Sequence, residues 1–223
     1  MVKEGILIVN KPKGMTSHDV VDYVRKKLKI KRVGHTGTLD PLATGVLIIL
    51  IGKYTKLFSQ FLKYDKAYEA TLVLGIKTDT GDITGKVIET RPVGEINIEK
   101  IKKVFLNYLG VYLQVPHQIS ALKYKGERLY KLSRKGKKIS LQPRKINIYE
   151  LRLLDFNPPK IKFYVRCSSG TYIRRLAEEI AQDLGTVGCI LEIERKSVGP
   201  FRIEEAVLLS QIQESHIISQ VPF

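Results

Sequence analysis

Two cysteines, Cys167 and Cys189, are all the thiol chemistry that 223 residues hold. Their number and spacing mark neither a disulfide framework nor a metal site, so a reduced, cytoplasmic protein is expected. No apolar run approaches the ~20 residues needed to span a membrane. The opening Met-Val-Lys-Glu-Gly lacks the long apolar segment of a secretory signal. Acid is scarce, with 22 Asp and Glu against 38 Lys and Arg. A metal-dependent nuclease usually wants a cluster of acids. Absent too are Cys/His sets at zinc spacing, His-Glu-x-x-His, a dinucleotide-binding glycine motif after a strand and a nucleophile elbow. The four histidines, His18, His35, His117 and His216, are scattered. The loop ending Gly85-Lys86-Val87 is one residue short of a phosphate loop, and Val87 stands where that motif needs Ser or Thr. What remains is one well-presented carboxylate, tyrosines and many arginines, with no metal and no cofactor expected.

The charge imbalance leaves a formal +16. It points to a polyanionic partner, nucleic acid first and an anionic membrane surface second. A solvated, heat-adapted surface is the competing reading, and it would suit Lys and Glu rising together better than this excess. At 43% hydrophobic residues the chain can bury a core.

One stretch organises the rest: Gly34-His35-Thr36-Gly37-Thr38-Leu39-Asp40-Pro41-Leu42-Ala43-Thr44-Gly45, followed by Val46-Leu47-Ile48-Ile49-Leu50-Ile51. Pro41 pushes Asp40 away from helical backbone. The apolar run, bounded by Gly45 and Gly52, reads as a buried strand. Asp40 is thus an acid on a constrained loop anchored to the core. It is either a presented reactive carboxylate or a structural Asp-Pro turn. Asp79 and Asp82 are candidates for a second acid.

Along the chain, Gly5 to Asn10 reads as a strand. Thr16 or Ser17 caps a helix with Val20, Val21, Val24 and Leu28 on one face. That helix ends in the basic run Arg25 to Arg32, only part of which a helix C-terminus explains. A helix is expected from Tyr54 to Leu62, a strand from Lys66 to Leu74, and a hairpin turn from Thr78 into a strand at Lys86 to Glu89. An amphipathic helix is expected over Ile98 to Leu109. Strands follow at Ile146 to Phe156 and Ile161 to Ser168. Next come a helix with Ile173, Leu176, Ala177, Ile180 and Leu184 inward and a strand from Val187 to Val198. One last helix is expected in the tail. The segment from Pro116 to Arg144 is basic and holds aromatics. It suits an insertion folding over a nucleic-acid backbone, mobile when free, or else a solvated loop. The short connections argue for α+β with a mixed, largely antiparallel sheet flanked by helices.

The Gly34 to Gly45 stretch resembles the catalytic motif of the TruB family of tRNA pseudouridine-55 synthases. Asn10-Lys11-Pro12-Lys13-Gly14-Met15-Thr16-Ser17 is similar to that family's N-terminal motif, Lys66-Ala67-Tyr68 to its basic-x-Tyr strand, and Cys167 through Arg174 to its third motif. Ser120 to Tyr124 and Gly126 to Tyr130 resemble its RNA-binding insertion. The resemblance implies the pseudouridine synthase fold and a single catalytic domain over residues 1–223. It implies isomerisation of the T-loop uridine of tRNA without a cofactor, by a monomer acting on the T-arm stem-loop. Asp40 would be the essential carboxylate, Arg174 its counter-charge or else a phosphate contact, and Tyr68 a surface stacked on the base or a core aromatic. His35 would fill the space of the flipped nucleotide or serve the loop alone. Lys11 and Tyr172 would line the site, and Lys123 and Arg128 would meet RNA. A tRNA-folding helper and a guide-RNA-dependent relative are the alternatives. Two departures stand out. Ile193-Glu194-Arg195 replaces a more basic family strand, and the chain stops at Phe223 where a C-terminal PUA domain is usual.

Overall fold

The computed structural model describes residues 4–117, 123–124, 126–129, 132 and 139–219. In chain order they form β1 (Gly5–Lys11), α1 (Ser17–Leu28), β2 (Val33–Thr36), β3 (Thr44–Ile51), a 3-10 turn (Gly52–Leu57), α2 (Phe58–Lys63) and β4 (Lys66–Leu74). Then come β5 (Ile76–Thr78), β6 (Val87–Thr90), α3 (Ile98–Leu106), β7 (Gly110–Gln114), β8 (Lys123–Tyr124), β9 (Glu127–Arg128), β10 (Arg144–Asn157) and β11 (Lys160–Cys167). Finally there are α4 (Ile173–Asp183), β12 (Gly188–Val198), β13 (Phe201–Arg202) and β14 (Val207–Leu208). Mixed pairing with flanking helices is the expected α+β class. The chain folds as two compact units, one of residues up to Glu69 together with those from Glu192 onward, the other Ala70–Leu191.

In the first unit β1 runs antiparallel to β3, from Gly5 opposite Ile51 to Lys11 opposite Gly45, and parallel to β14. β2 is also antiparallel to β3, and the start of β3 meets β12 in parallel, Thr44 opposite Glu194 and Gly45 opposite Arg195. β3 is apolar at both parities, so both its faces must be covered, and it is buried from Gly45 onward. Ile6, Ile8, Val46, Ile48 and Leu50 pack one face against Phe61, Val198 and Phe201. Phe61 stacks on Phe201 at 6.0 Å and meets Tyr64 edge-on at 5.8 Å. α1 begins with a capping box: Asp19 N donates to Thr16 Oγ1, and Thr16 N donates to Asp19 Oδ2. Its buried face is the expected Val20, Val21, Val24 and Leu28.

Three departures from the sequence expectations have local causes. The helix expected from Tyr54 is a 3-10 turn running into a six-residue α2, leaving Phe58 and Leu62 exposed while Phe61 is buried. The Lys66 ammonium ends α2 by donating to the carbonyls of Leu62 and Tyr64. β2 falls inside the stretch read as a loop, since only Val33 of its four residues is apolar. Among the described residues the tail holds no α-helix. Its backbone instead pairs with β1, Val9 opposite Val207 and Ile6 opposite Ile218, leaving only 3-10 turns between.

In the second unit β10 lies between β11 and β7, antiparallel to both. β5 and β6 form the expected hairpin. α3 stops at Leu106, short of the expected Leu109, and β7 follows unforeseen. α4 buries Ile173, Arg174, Leu176, Ala177, Ile180 and Ala181. Both cysteines are buried, and neither forms a disulfide. Of the basic segment, β8 and β9 pair as a hairpin, and Leu129 and Leu132 are buried. The rest of that segment, with its expected mobility, lies outside the described residues.

Truncating Phe61 to Ala should lower the unfolding free energy by about 3–5 kcal/mol in urea titration. A loss below about 1 kcal/mol would show that the cluster is not the core of this unit.

Candidate active site

Asp40 sits half-buried in the connection between β2 and β3. Its neighbours on both sides are tied by hydrogen bonds. Leu39 N donates to Ser17 Oγ at 2.8 Å, and the same hydroxyl donates to Leu39 O at 3.1 Å. Gly14 N donates to Pro41 O at 2.8 Å, and Ala43 N closes a turn on Asp40 O at 3.0 Å. The turn between β1 and α1 is thereby bolted to the Asp40 loop. At the far end, Gly45 has φ of 99° and approaches β12 so closely that a Cβ would lie 2.3 Å from Arg195 O. Only glycine permits that approach.

Two buried cations complete the frame. Arg195 is 1% exposed, and its guanidinium donates to Val46 O at 2.7 Å and to Gly37 O at 2.9 Å. Those two carbonyls bracket the Asp40 loop. Lys11 is 0% exposed, and its ammonium donates to Met15 O at 2.6 Å, Pro12 O at 2.9 Å and Pro41 O at 3.4 Å. Burial pushes the Lys11 ammonium down to about 8; the Asp40 carboxylate opposes that shift and the Arg195 charge adds to it. Lys11, Arg195 and Asp40 thus share one electrostatic environment. His35 lies half-buried on β2, and Tyr68 lies on β4 with 8% of its surface exposed.

The second unit holds Arg174 and Tyr172. Arg174 is buried on α4, donates to Thr80 O at 2.5 Å and lies 3.7 Å from Asp82 Oδ2. The Asp82 carboxylate also accepts from the Thr80 hydroxyl at 3.1 Å and from Thr84 N at 3.0 Å. Burial opposes ionisation of Glu178. The hydrogen bond and charge of His117, 3.8 Å away, then those of Arg175, outweigh it and hold the carboxyl below its ordinary range. Gly81, with φ of 73°, fits this crowd because a Cβ would lie 3.0 Å from His117 Nε2. Gln114 brackets the backbone of Tyr172, accepting from its N at 2.8 Å and donating to its O at 3.2 Å.

Of the residues singled out from sequence, Asp40, Lys11, His35 and Tyr68 therefore belong to one unit, and Arg174 and Tyr172 to the other. Lys123 and Arg128 face each other in register across the β8–β9 hairpin. The sequence offered Ser17 only as a candidate helix cap, and Arg195 and Lys66 only as members of motifs. Glu194, the unusual acid beside Arg195, is paired with Lys196 at 2.9 Å. Among the described residues no cluster of His, Cys, Asp and Glu could hold a metal ion.

A half-buried carboxylate on a hydrogen-bonded loop, sharing its environment with two buried cations, makes Asp40 the centre of a candidate active site. The chain belongs to the TruB family: residues 25–173 match the model described as TruB family pseudouridylate synthase (N terminal domain). It is 46% identical over 214 residues to the tRNA pseudouridine synthase B of Aquifex aeolicus, covering 95% of this chain and 74% of that one. To the enzyme of the same name from Francisella philomiragia it is 44% identical over 211 residues, covering 94% and 70%. Among solved structures it resembles a chain of a Cbf5-Nop10-Gar1 complex, with TM-score 0.73 and 28% identity, covering 92% of this chain and 52% of that one. It also resembles a chain of an H/ACA RNP bound to a substrate RNA containing 2'-deoxyuridine, with TM-score 0.71 and 27% identity over 94% of this chain. The chain spans 52% of that second chain as well, about half of each. No described helix is long and apolar enough to cross a membrane.

The lowered Lys11 ammonium has a consequence for stability. The unfolded chain keeps this proton up to about 10.5, while the folded chain releases it near 8. Between those values the unfolded state binds more protons, so stability rises with pH. Wild type should gain about 1–3 kcal/mol relative to Lys11→Met between pH 8 and 10.5 in urea unfolding. A difference that stays flat across that window would contradict a buried, charge-penalised ammonium.

Proposed function

We propose that this chain is a tRNA pseudouridine synthase acting on the T-loop uridine at position 55, with Asp40 as the essential carboxylate. The observation that carries the reading is the clamped loop that holds Asp40 half-buried near the Lys11 ammonium, in a chain 46% identical to a tRNA pseudouridine synthase B. The reaction breaks the bond between uracil N1 and the ribose, turns the base while it is held, and rejoins it through C5. C5 gives up a proton and N1 gains one, so atoms balance. An ionised carboxylate serves as nucleophile or as base in such a step.

The remaining roles follow from position in the motifs. Arg174 supplies the positive charge that the third motif carries in this family. Tyr68 stacks one face on the uracil while the other packs in its unit. The target must leave a folded loop, at a cost of a few kcal/mol, and His35 takes the vacated place. Lys11 and Tyr172 line the site, and Lys123 and Arg128 hold the RNA from the hairpin. The enzyme works as a cytoplasmic monomer on the T-arm. A guide-dependent reading has weaker support, 28% identity to a Cbf5 complex chain against 46% to a tRNA pseudouridine synthase B.

Incubation with a T-arm stem-loop, followed by chemical mapping, should place pseudouridine at the single T-loop position without any guide RNA. Asp40→Asn should abolish turnover, a loss of at least about 10⁴-fold in kcat, and keep RNA affinity within about threefold. Normal turnover by that variant would remove Asp40 from the mechanism. Rescue of every cellular phenotype by it would favour the RNA-folding reading.

A further inference from the structure

The C-terminal end of α1 carries more positive charge than the fold needs. Arg25, Lys26, Lys27, Lys29, Lys31 and Arg32 fall within eight residues. Cations suit a helix C-terminus, but the effect fades beyond the last turn. Arg25 is engaged, pairing with Asp22 at 2.8 Å and donating to Val33 O at 2.8 Å, and Arg32 donates to the Thr55 hydroxyl at 2.7 Å. Among the described residues no carboxylate pairs with Lys26, Lys27, Lys29 or Lys31, and all four are exposed. Arg25, Lys26, Lys29, Ile30 and Lys31 line a shallow, open groove with no acid among its lining residues. A single-sign surface attracts an incoming anion.

A second observation comes from the backbone. Lys29 is the residue that caps α1 in the left-handed region, φ 53°, and it is the one described non-glycine residue with positive φ. Glycine or asparagine would take that conformation at lower cost. The chain accepts the cost and places an ammonium in the groove wall.

We propose that this basic groove binds the sugar-phosphate backbone of the RNA substrate, as a site separate from the one that takes the target base. The inference rests on the RNA-modifying reading above. The groove belongs to the same unit as Asp40, and the nine-residue connection from Lys31 to Asp40 puts it within about 30 Å of the carboxylate. An anionic bilayer fits less well. The apolar face of α1 is buried in its own unit, which leaves only half-buried Ile30 to enter lipid.

The test compares wild type with the K26A/K29G/K31A variant, using unmodified tRNA as the probe. Binding is read across a range of KCl concentrations and turnover at 150 mM. The slope of log affinity against log salt should flatten by about two to three. KM should rise about tenfold or more, with kcat unchanged. Lys29→Gly alone should hold or raise the melting temperature while weakening binding, which separates RNA contact from folding. An unchanged slope and KM would overturn the proposal, as would a fall in kcat at constant KM. So would loss of binding to phosphatidylserine vesicles with the RNA slope intact. If wild type forms no pseudouridine but the slope still flattens, the groove stands and the catalytic reading falls.

Discussion

The Arg195 guanidinium is the constraint on which the site depends. Burying such a charge costs several kcal/mol unless its hydrogen bonds are satisfied. Here it donates to two backbone carbonyls, of Gly37 and Val46, one on each side of the Asp40 loop. The burial that makes the charge costly also makes the two hydrogen bonds hard to exchange for water. Arg195 itself is held because its backbone pairs in parallel with Gly45, which no larger residue could replace. Sheet register, glycine backbone and buried charge therefore fix the same segment.

Lys11 and Ser17 act from the other side. Lys11 closes the β1 end by binding three carbonyls, one of them Pro41 O, and Ser17 ties both polar groups of Leu39 to the first turn of α1. Lys11 and Arg195 are buried cations in the same electrostatic environment as the half-buried Asp40 carboxylate. The same crowding disfavours the Lys11 charge, so the frame carries an internal electrostatic cost. Costs of this kind are expected where a structure is organised around chemistry rather than stability.

Much of this was legible in sequence. β3 and α1 were readable because their apolar residues follow unmistakable patterns, and Asp40 because glycines and Pro41 isolate it between them. β2 was not, since a four-residue strand with one apolar side chain has no period to detect. The six-residue α2 was blurred into the 3-10 turn before it, because both place apolar residues at similar spacing. Arg195 was legible only as the cation kept in Ile193-Glu194-Arg195, without its partners, for a different reason. A lone arginine on a strand reads as surface charge, and only strand pairing shows that its head group ends among carbonyls. Asp82 and its threonines looked like a hairpin turn, which they are, and their hold on Arg174 is a tertiary fact.

Buried Arg195 makes the Asp40 loop rigid, and native-state hydrogen exchange can measure that rigidity amide by amide. The Leu39 amide, which donates to Ser17 Oγ, and the Ala43 amide, which donates to Asp40 O, should be protected in wild type nearly as well as the amides of β3. In Arg195→Lys their protection should fall by about tenfold or more while amides in the β10–β11 ladder keep theirs. Equal protection of Leu39 and Ala43 in both proteins would contradict the account.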